Sequence, residues 1–287
     1  MVILFDVLAR LPLSVLHRLG TLLGWVVYWS SGRYAMRLRE NLQNANLHPS
    51  EAEFRRLLRA NVIEAGKGLM ELPWVWRRPL DKVLSGIKQC HGWEHIEAAR
   101  ALGKGVIALT PHMGCFEVIS LYIAARLPMT SMYSVPRWKF LDTLMLEGRE
   151  RGRMKLAPAD LGGVRLLLKA LKRDEIIGIL PDQVPGNGEG EWAPFFGRPA
   201  YTMTLIGRLA AASGAAVVMC RSERLPRGEG YALYFTPVSF DEATSIPNQI
   251  NAALETTIRQ CPQQYLWSYN RYKVPSGVLP PDAVKEH

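Results

Sequence analysis

GVIALTPHMGCFE, residues 105–117, decides how this chain folds. Its first part is a short apolar run that stops at Pro111, the pattern of a strand buried on both faces of a sheet. A helical stretch follows, to about Arg126. Strand, histidine, glycine, helix is one unit of an α/β sheet, in which ligands bind beyond the carboxyl ends of the strands.

Working outward, the same alternation continues. Strands are predicted at Thr130–Val135 and Glu175–Leu180, the latter ending at Pro181-Asp182, and near 215–222 and 231–238. Helices are predicted near 138–151, 160–173, 203–213 and 246–260, with a Gly/Pro-rich loop from 183 to about 201. The carboxyl-end rule singles out His112 and Asp182, each just past a predicted strand.

Upstream the pattern is helical. Residues 34–72 read as helix, broken at His48-Pro49-Ser50-Glu51, where Ser50 and Glu53 form a capping box. Pro73 and Pro79 mark a connecting region. The expected organisation is a helical, membrane-associating part over 1–80 and an α/β domain over 81–287. Residues 2–30 are rich in Leu, Val and Trp but interrupted by Asp6, Arg10, His17 and Arg18. Leu19–Trp29 is too short to cross a bilayer alone, since a spanning helix needs about 20 apolar residues. Three readings stay open: a helix lying in the interface, a span with Arg10 and Arg18 snorkelling, or a core helix. Arg33, Arg37 and Arg39 suit anionic headgroups on a cytoplasmic face, or a solvated helix face. No leader-peptide pattern precedes the segment, so secretion is not expected.

Composition narrows the partners. A chain that is 48% hydrophobic and 21% charged is folded rather than disordered. A net charge of +9 calls for an anionic partner. Nucleic acid is not expected, for no aromatic RNA-binding signature or zinc-finger spacing is present. Cys90, Cys115, Cys220 and Cys261 form no CxxC pair, which argues for reduced thiols rather than a disulfide framework or a zinc site. His91 and His95 lack the His-Glu-x-x-His arrangement of a zinc site. No Gly-x-Ser-x-Gly elbow supports a serine hydrolase.

The chemistry concentrates in His112 and Glu117. A carboxylate in the first turns of a helix is favoured by the helix dipole. From there Glu117 could turn back, accept from Nδ1–H and leave Nε2 to take a proton from an attacking hydroxyl. On spacing alone, a histidine ending a strand beside a surface glutamate is an equally ordinary arrangement. Asp182 could orient a donor or simply close a turn. Phe195 and Phe196 could wall an acyl groove or form a small satellite core. Six basic residues between Arg137 and Lys155 suit phosphates or an acidic protein face, or a solvated helix with ion pairs.

Together, Gly92-Trp93-Glu94-His95 and residues 103–117 resemble the late acyltransferases of lipid A biosynthesis, which carry a His, four residues, then an acidic residue. Arg39-Glu40-Asn41-Leu42, Asp182-Gln183, Pro194-Phe195-Phe196-Gly197 with Thr202, and residues 260–273 (QCPQQYLWSYNRYK) resemble further motifs of that family, in order. Cys115-Phe116 stands where members often have Asn-Trp, and Tyr269-Asn270-Arg271 where they often have His before Arg. The resemblance implies a glycerol-phosphate-acyltransferase-like mixed sheet flanked by helices, working at the cytoplasmic face of the cell inner membrane. It implies His112 as general base with Glu117 as its acid, and Arg149, Asp182, Gln183, Phe195 and Phe196 against substrate. It implies acyl carrier protein as donor, a lipid A precursor as acceptor, and neither cofactor nor metal. The same pair would serve a glycerolipid or lysophospholipid acyltransferase, or, with water as acceptor, a thioesterase. A catalytically silent membrane-binding protein is the remaining reading.

Overall fold

A computed structural model of the protein describes residues 2–136 and 139–281. Arg137, part of the predicted basic strip, lies outside them.

Four helices come first: α1 (Val2–Arg10), α2 (Leu13–Ser30), α3 (Gly32–Asn44) and α4 (Glu51–Arg77). Ser50 caps α4 by accepting from the Glu53 N–H at 3.3 Å, as the capping box requires. Pro73 does not end the helix; α4 runs on to Arg77. Trp74, Val75 and Trp76 are buried there, and their packing outweighs the backbone bond a proline forfeits.

The remainder alternates: α5 (Leu80–Leu84), β1 (Ile87–His91), α6 (Trp93–Ala101), β2 (Val106–Leu109), α7 (Glu117–Ala124), β3 (Met129–Tyr133), α8 (Lys139–Arg149), β4 (Met154–Pro158), α9 (Leu161–Leu171), β5 (Ile176–Ile179), β6 (Gly190–Phe195), β7 (Arg198–Met203), α10 (Leu205–Ser213), β8 (Ala216–Arg224), β9 (Tyr231–Val238) and α11 (Ile246–Gln260). Seven strands form one mixed sheet, in the order β1-β9-β8-β2-β5-β3-β4. Neighbours are parallel except β8 and β9. Central β2 and β5 are buried throughout, as their unbroken apolar runs require. Edge strand β1 (IKQCH) carries polar, largely exposed residues, and edge strand β4 (MKLAP) is broken by Lys155 and ends at Pro158, so neither leaves such a signature.

The 183–201 segment is less irregular than its Gly and Pro content implies. β6 and β7 form a separate antiparallel hairpin closed by Phe196-Gly197. Both turn residues have positive φ, 47° and 73°, the geometry of a tight hairpin turn.

Alternating strand residues feed two cores. Val106, Ala108, Met129, Met154 and Ile176 pack with α6, α7, α8 and the buried ends of α2 and α4. Ile107, Leu109, Ala157, Ile177 and Ile179 pack on the other face with α9, α10, α11, α3 and the first half of α4. The N-terminal helices thus share both cores with the sheet.

Gly20 and Gly24 bring α2 against Gly66 of α4 at backbone contact: a Cβ on Gly24 would lie 2.2 Å from the Val62 carbonyl oxygen, and one on Gly66 2.0 Å from that of Gly20. The opposite face of α2 exposes Leu19, Leu22, Val26 and Trp29, and α1 exposes Ile3, Leu4 and Val7. No helix among the described residues is long and apolar enough to cross a membrane.

Candidate active site

Register decides who meets His112. β2 and β5 lie side by side with Leu109 opposite Ile179. His112 is three residues beyond the first and Asp182 three beyond the second, so the two chains leave the sheet abreast. Asp182 Oδ1 sits 2.8 Å from His112 Nδ1, and its Oδ2 accepts from the His112 backbone N–H at 2.9 Å. Asp182 is 2% exposed. Burial would raise its carboxyl, but the neighbouring imidazole and these hydrogen bonds hold it below the ordinary aspartate value. An ionised Asp182 can only accept, so Nδ1 carries the proton. His112 Nε2 then presents a lone pair, and the Gln183 amide donates to it at 3.1 Å.

The place predicted for Glu117 is therefore filled by Asp182. Glu117 opens α7 and is buried, with both oxygens in the fork of Arg149: Nε donates to Oε2 at 2.9 Å and Nη2 to Oε1. No hydrogen bond joins Glu117 to His112 among the described residues. A carboxylate offered both a guanidinium fork and one imidazole N–H gains more from the two parallel charge-assisted bonds. Burial alone would raise Glu117, yet Arg149, with a smaller contribution from His112, holds it low. Arg149 ends α8. Gly148 lets that helix close onto Trp76, for a Cβ there would meet Trp76 Cβ at 2.4 Å, and the Arg149 guanidinium lies 5.9 Å from the Trp76 ring centroid. Trp76 was not legible as a site residue, being one of several tryptophans in an apolar helix.

Glu117 and Arg149 stand at one wall of a narrow cleft under α7 and α8. Its apolar lining is Met129, Met132, Met154, Leu156 and Ile179, with Gly178 at the sheet surface. Phe195 and Phe196 lie elsewhere. They are buried on the other sheet face against Tyr265 and Trp267, with ring centroids 6.5 and 5.3 Å apart respectively. Of the predicted site residues, His112, Glu117, Arg149, Asp182 and Gln183 converge, while the two phenylalanines pack as core.

The C-terminal motif holds the histidine loop. Gly114 N–H donates to the Gln264 carbonyl at 3.0 Å, Leu266 N–H to the His112 carbonyl at 3.0 Å, and Met113 bridges to Tyr265. Gly114 has φ +59°, and a Cβ there would lie 1.8 Å from the Ser222 carbonyl oxygen, so only glycine suits that turn. Thr202 and Arg271, both motif residues, bind each other at 2.7 Å in the core.

A histidine fixed at Nδ1, with Nε2 held only by the Gln183 amide, is chemically able to accept a proton as a general base. Sequence comparison identifies the class. The family model of the bacterial lipid A biosynthesis acyltransferases matches residues 1–274. The chain is 30% identical over 276 residues to the lipid A biosynthesis lauroyltransferase of Escherichia coli strain K12, spanning 94% of this chain and 89% of that protein. It is 27% identical to the palmitoleoyltransferase of the same strain, over 92% and 87% of the two chains. With a lipid A biosynthesis acyltransferase of Haemophilus influenzae it shares 26% over 91% and 82%. The protein belongs to the bacterial lipid A biosynthesis acyltransferase family, and the enzyme is a transferase.

Proposed function

We propose that the protein moves a fatty acyl chain from acyl carrier protein to a hydroxyl of an acylated lipid A precursor at the cytoplasmic face of the inner membrane. The observation that carries this reading is the His112 imidazole, anchored by Asp182 at Nδ1 so that Nε2 can accept a proton. The acceptor hydroxyl displaces the Gln183 amide and donates to Nε2. Its oxygen attacks the thioester carbonyl as Nε2 takes the proton. The tetrahedral oxyanion is met by backbone amides at the start of α7 and by Arg149. Collapse breaks the carbon–sulfur bond, and the imidazolium returns its proton to the departing thiolate.

In this reading Asp182 is the orienting acid and Glu117 acts through Arg149, which it fixes at the cleft. The acyl chain lies in the cleft over Gly178 rather than along Phe195 and Phe196. The exposed stripe of α1 and α2, flanked by Arg10, Arg18 and Arg33, seats the protein on anionic lipid. The 1–80 segment then serves as the membrane-facing part without forming a body of its own.

The test is reconstitution of the purified protein with acyl-acyl carrier protein and a Kdo-lipid A precursor, read by mass spectrometry. One added acyl chain, lost in His112→Ala, is the expected result. Acylation of glycerol phosphate or a lysophospholipid instead, or release of free fatty acid with the precursor unchanged, would overturn the assignment.

A further inference from the structure

Against the histidine loop lies a buried charged cluster that the reaction above does not use. Arg224, the last residue of β8, is 6% exposed. Its Nε donates to Glu71 of α4 at 2.7 Å, and its Nη1 lies 3.4 Å from Glu64. Its Nη2 donates to the Gly114 carbonyl at 2.7 Å. Its own backbone is held by the Gln264 side chain, N–H to Oε1 at 2.8 Å and carbonyl from Nε2 at 3.1 Å. Glu71 also accepts from the Tyr231 hydroxyl at 3.2 Å and pairs with His17 of α2 at 2.8 Å.

Gly114 is thereby gripped on both sides, its N–H by the Gln264 carbonyl and its carbonyl, which belongs to the Gly114–Cys115 peptide, by Arg224. Gly114 sits in left-handed backbone two residues after His112, where the chain reverses into α7. A trans peptide points its carbonyl and the next N–H in opposite directions. With the carbonyl drawn toward Arg224, the Cys115 N–H faces the other way, off the guanidinium. Were the carbonyl released, this peptide could rotate, and His112 and the first amides of α7 would lose their common reference.

The fork is needed for this, not only the charge. One guanidinium reaches a carboxylate with Nε and a carbonyl with Nη2 at once; an ammonium is a single point of donors on a flexible stem. Space for the fork comes from Gly68 of α4, where a Cβ would lie 2.8 Å from Nη2. Nothing in the local sequence marks Gly68 as special, and a glycine inside a helix is unfavourable by itself.

We propose that Arg224, given room by Gly68 and oriented by Glu71, is a positioning residue for the catalytic loop and sets the Gly114–Cys115 peptide for the chemical step. The proposal rests on the acyl-transfer reading above, and its test separates the two.

Gly68→Ala crowds Nη2 off the Gly114 carbonyl while leaving the arginine in place, and thermal melting checks that the variant is folded. Arg224→Lys keeps the charge and loses the fork. Both are assayed with acyl-acyl carrier protein and Kdo-lipid A precursor, and with 15N-histidine spectra in which His112→Ala assigns the His112 signals. The expected result is a fall in kcat of about tenfold or more with KM unchanged, since small misplacements of reacting groups are costly, together with a shift of the His112 resonances. Wild-type kcat and unmoved His112 resonances in both variants would overturn the proposal. Should the wild type transfer no acyl chain to the precursor while the resonances still move, the positioning role stands and the assigned reaction falls.

Discussion

Two buried carboxylates stand near His112, and they are employed differently. Asp182, at the end of β5, holds the imidazole. Glu117, at the start of α7, holds the guanidinium of Arg149. Both are kept below ordinary carboxylate values against the effect of burial, Asp182 by His112 and Glu117 by Arg149. The difference teaches that proximity along the chain is a poor guide to pairing in a parallel sheet. Glu117 lies five positions after His112 and Asp182 seventy, yet the strand register favours the latter.

The comparison can be broken most sharply at the imidazole. His112→Ala should lower kcat by about 10³-fold or more, as expected for removal of a general base together with its site geometry. Asp182→Asn should cost about 10²-fold in kcat, because an amide offers Nδ1 a donor as readily as an acceptor and the tautomer is no longer fixed. An Asp182→Asn variant with wild-type kcat would return the orienting role to Glu117. Glu117→Gln acts elsewhere. It strands Arg149 without its counter-ion and should destabilise the fold by about 3 kcal/mol in urea unfolding. Replacing both with apolar residues, Glu117→Leu with Arg149→Met, should recover much of that stability and none of the activity. Gly178→Ala has a smaller effect. Its Cβ would meet Met129 Cε at 2.5 Å, so discrimination should shift by about tenfold toward shorter acyl donors.

The smallest effect is in acid. Groups with a depressed folded-state pKa stabilise above their unfolded values, about 3.9 for Asp and 4.3 for Glu. Their contribution is lost as pH falls through the folded values. Wild-type stability should therefore decline below about pH 4, and Asp182→Asn should decline less steeply on urea titration at successive pH values.

Much of this was legible because burial writes itself into composition. The unbroken apolar runs of β2 and β5, the capping box of α4 and the helices α9, α10 and α11 follow from local pattern. What escaped was set by neighbours. β1 is a polar edge strand, and β4 is an edge strand whose apolar residues are interrupted by Lys155 and Pro158, so both lack the run that betrays a central strand. β6 and β7 were hidden by the prolines and glycines of a hairpin whose strands pair only with each other. In the site, His112 and Asp182 were both marked by lying past a strand, but their pairing needed the register of β2 on β5. Phe195 and Phe196 sit in a motif beside that site in sequence, yet the hairpin carries them to the opposite face of the sheet. Arg224 and Gly68 gave no signal, since a fork and the space for it come from different elements.

The close approach of Gly20, Gly24 and Gly66 has a consequence for scale. Helices in backbone contact have no side-chain layer to slide on, so α2 moves with α4 as one beam. α4 carries Trp76 at its end, against the helix that bears Arg149. The exposed Leu22–Trp29 stripe is thereby carried on the same rigid pair of helices that ends at Trp76. Under the proposed reaction, a lipid surface seated on that stripe would meet a gauge of fixed reach, which would select acceptor hydroxyls by their height above it.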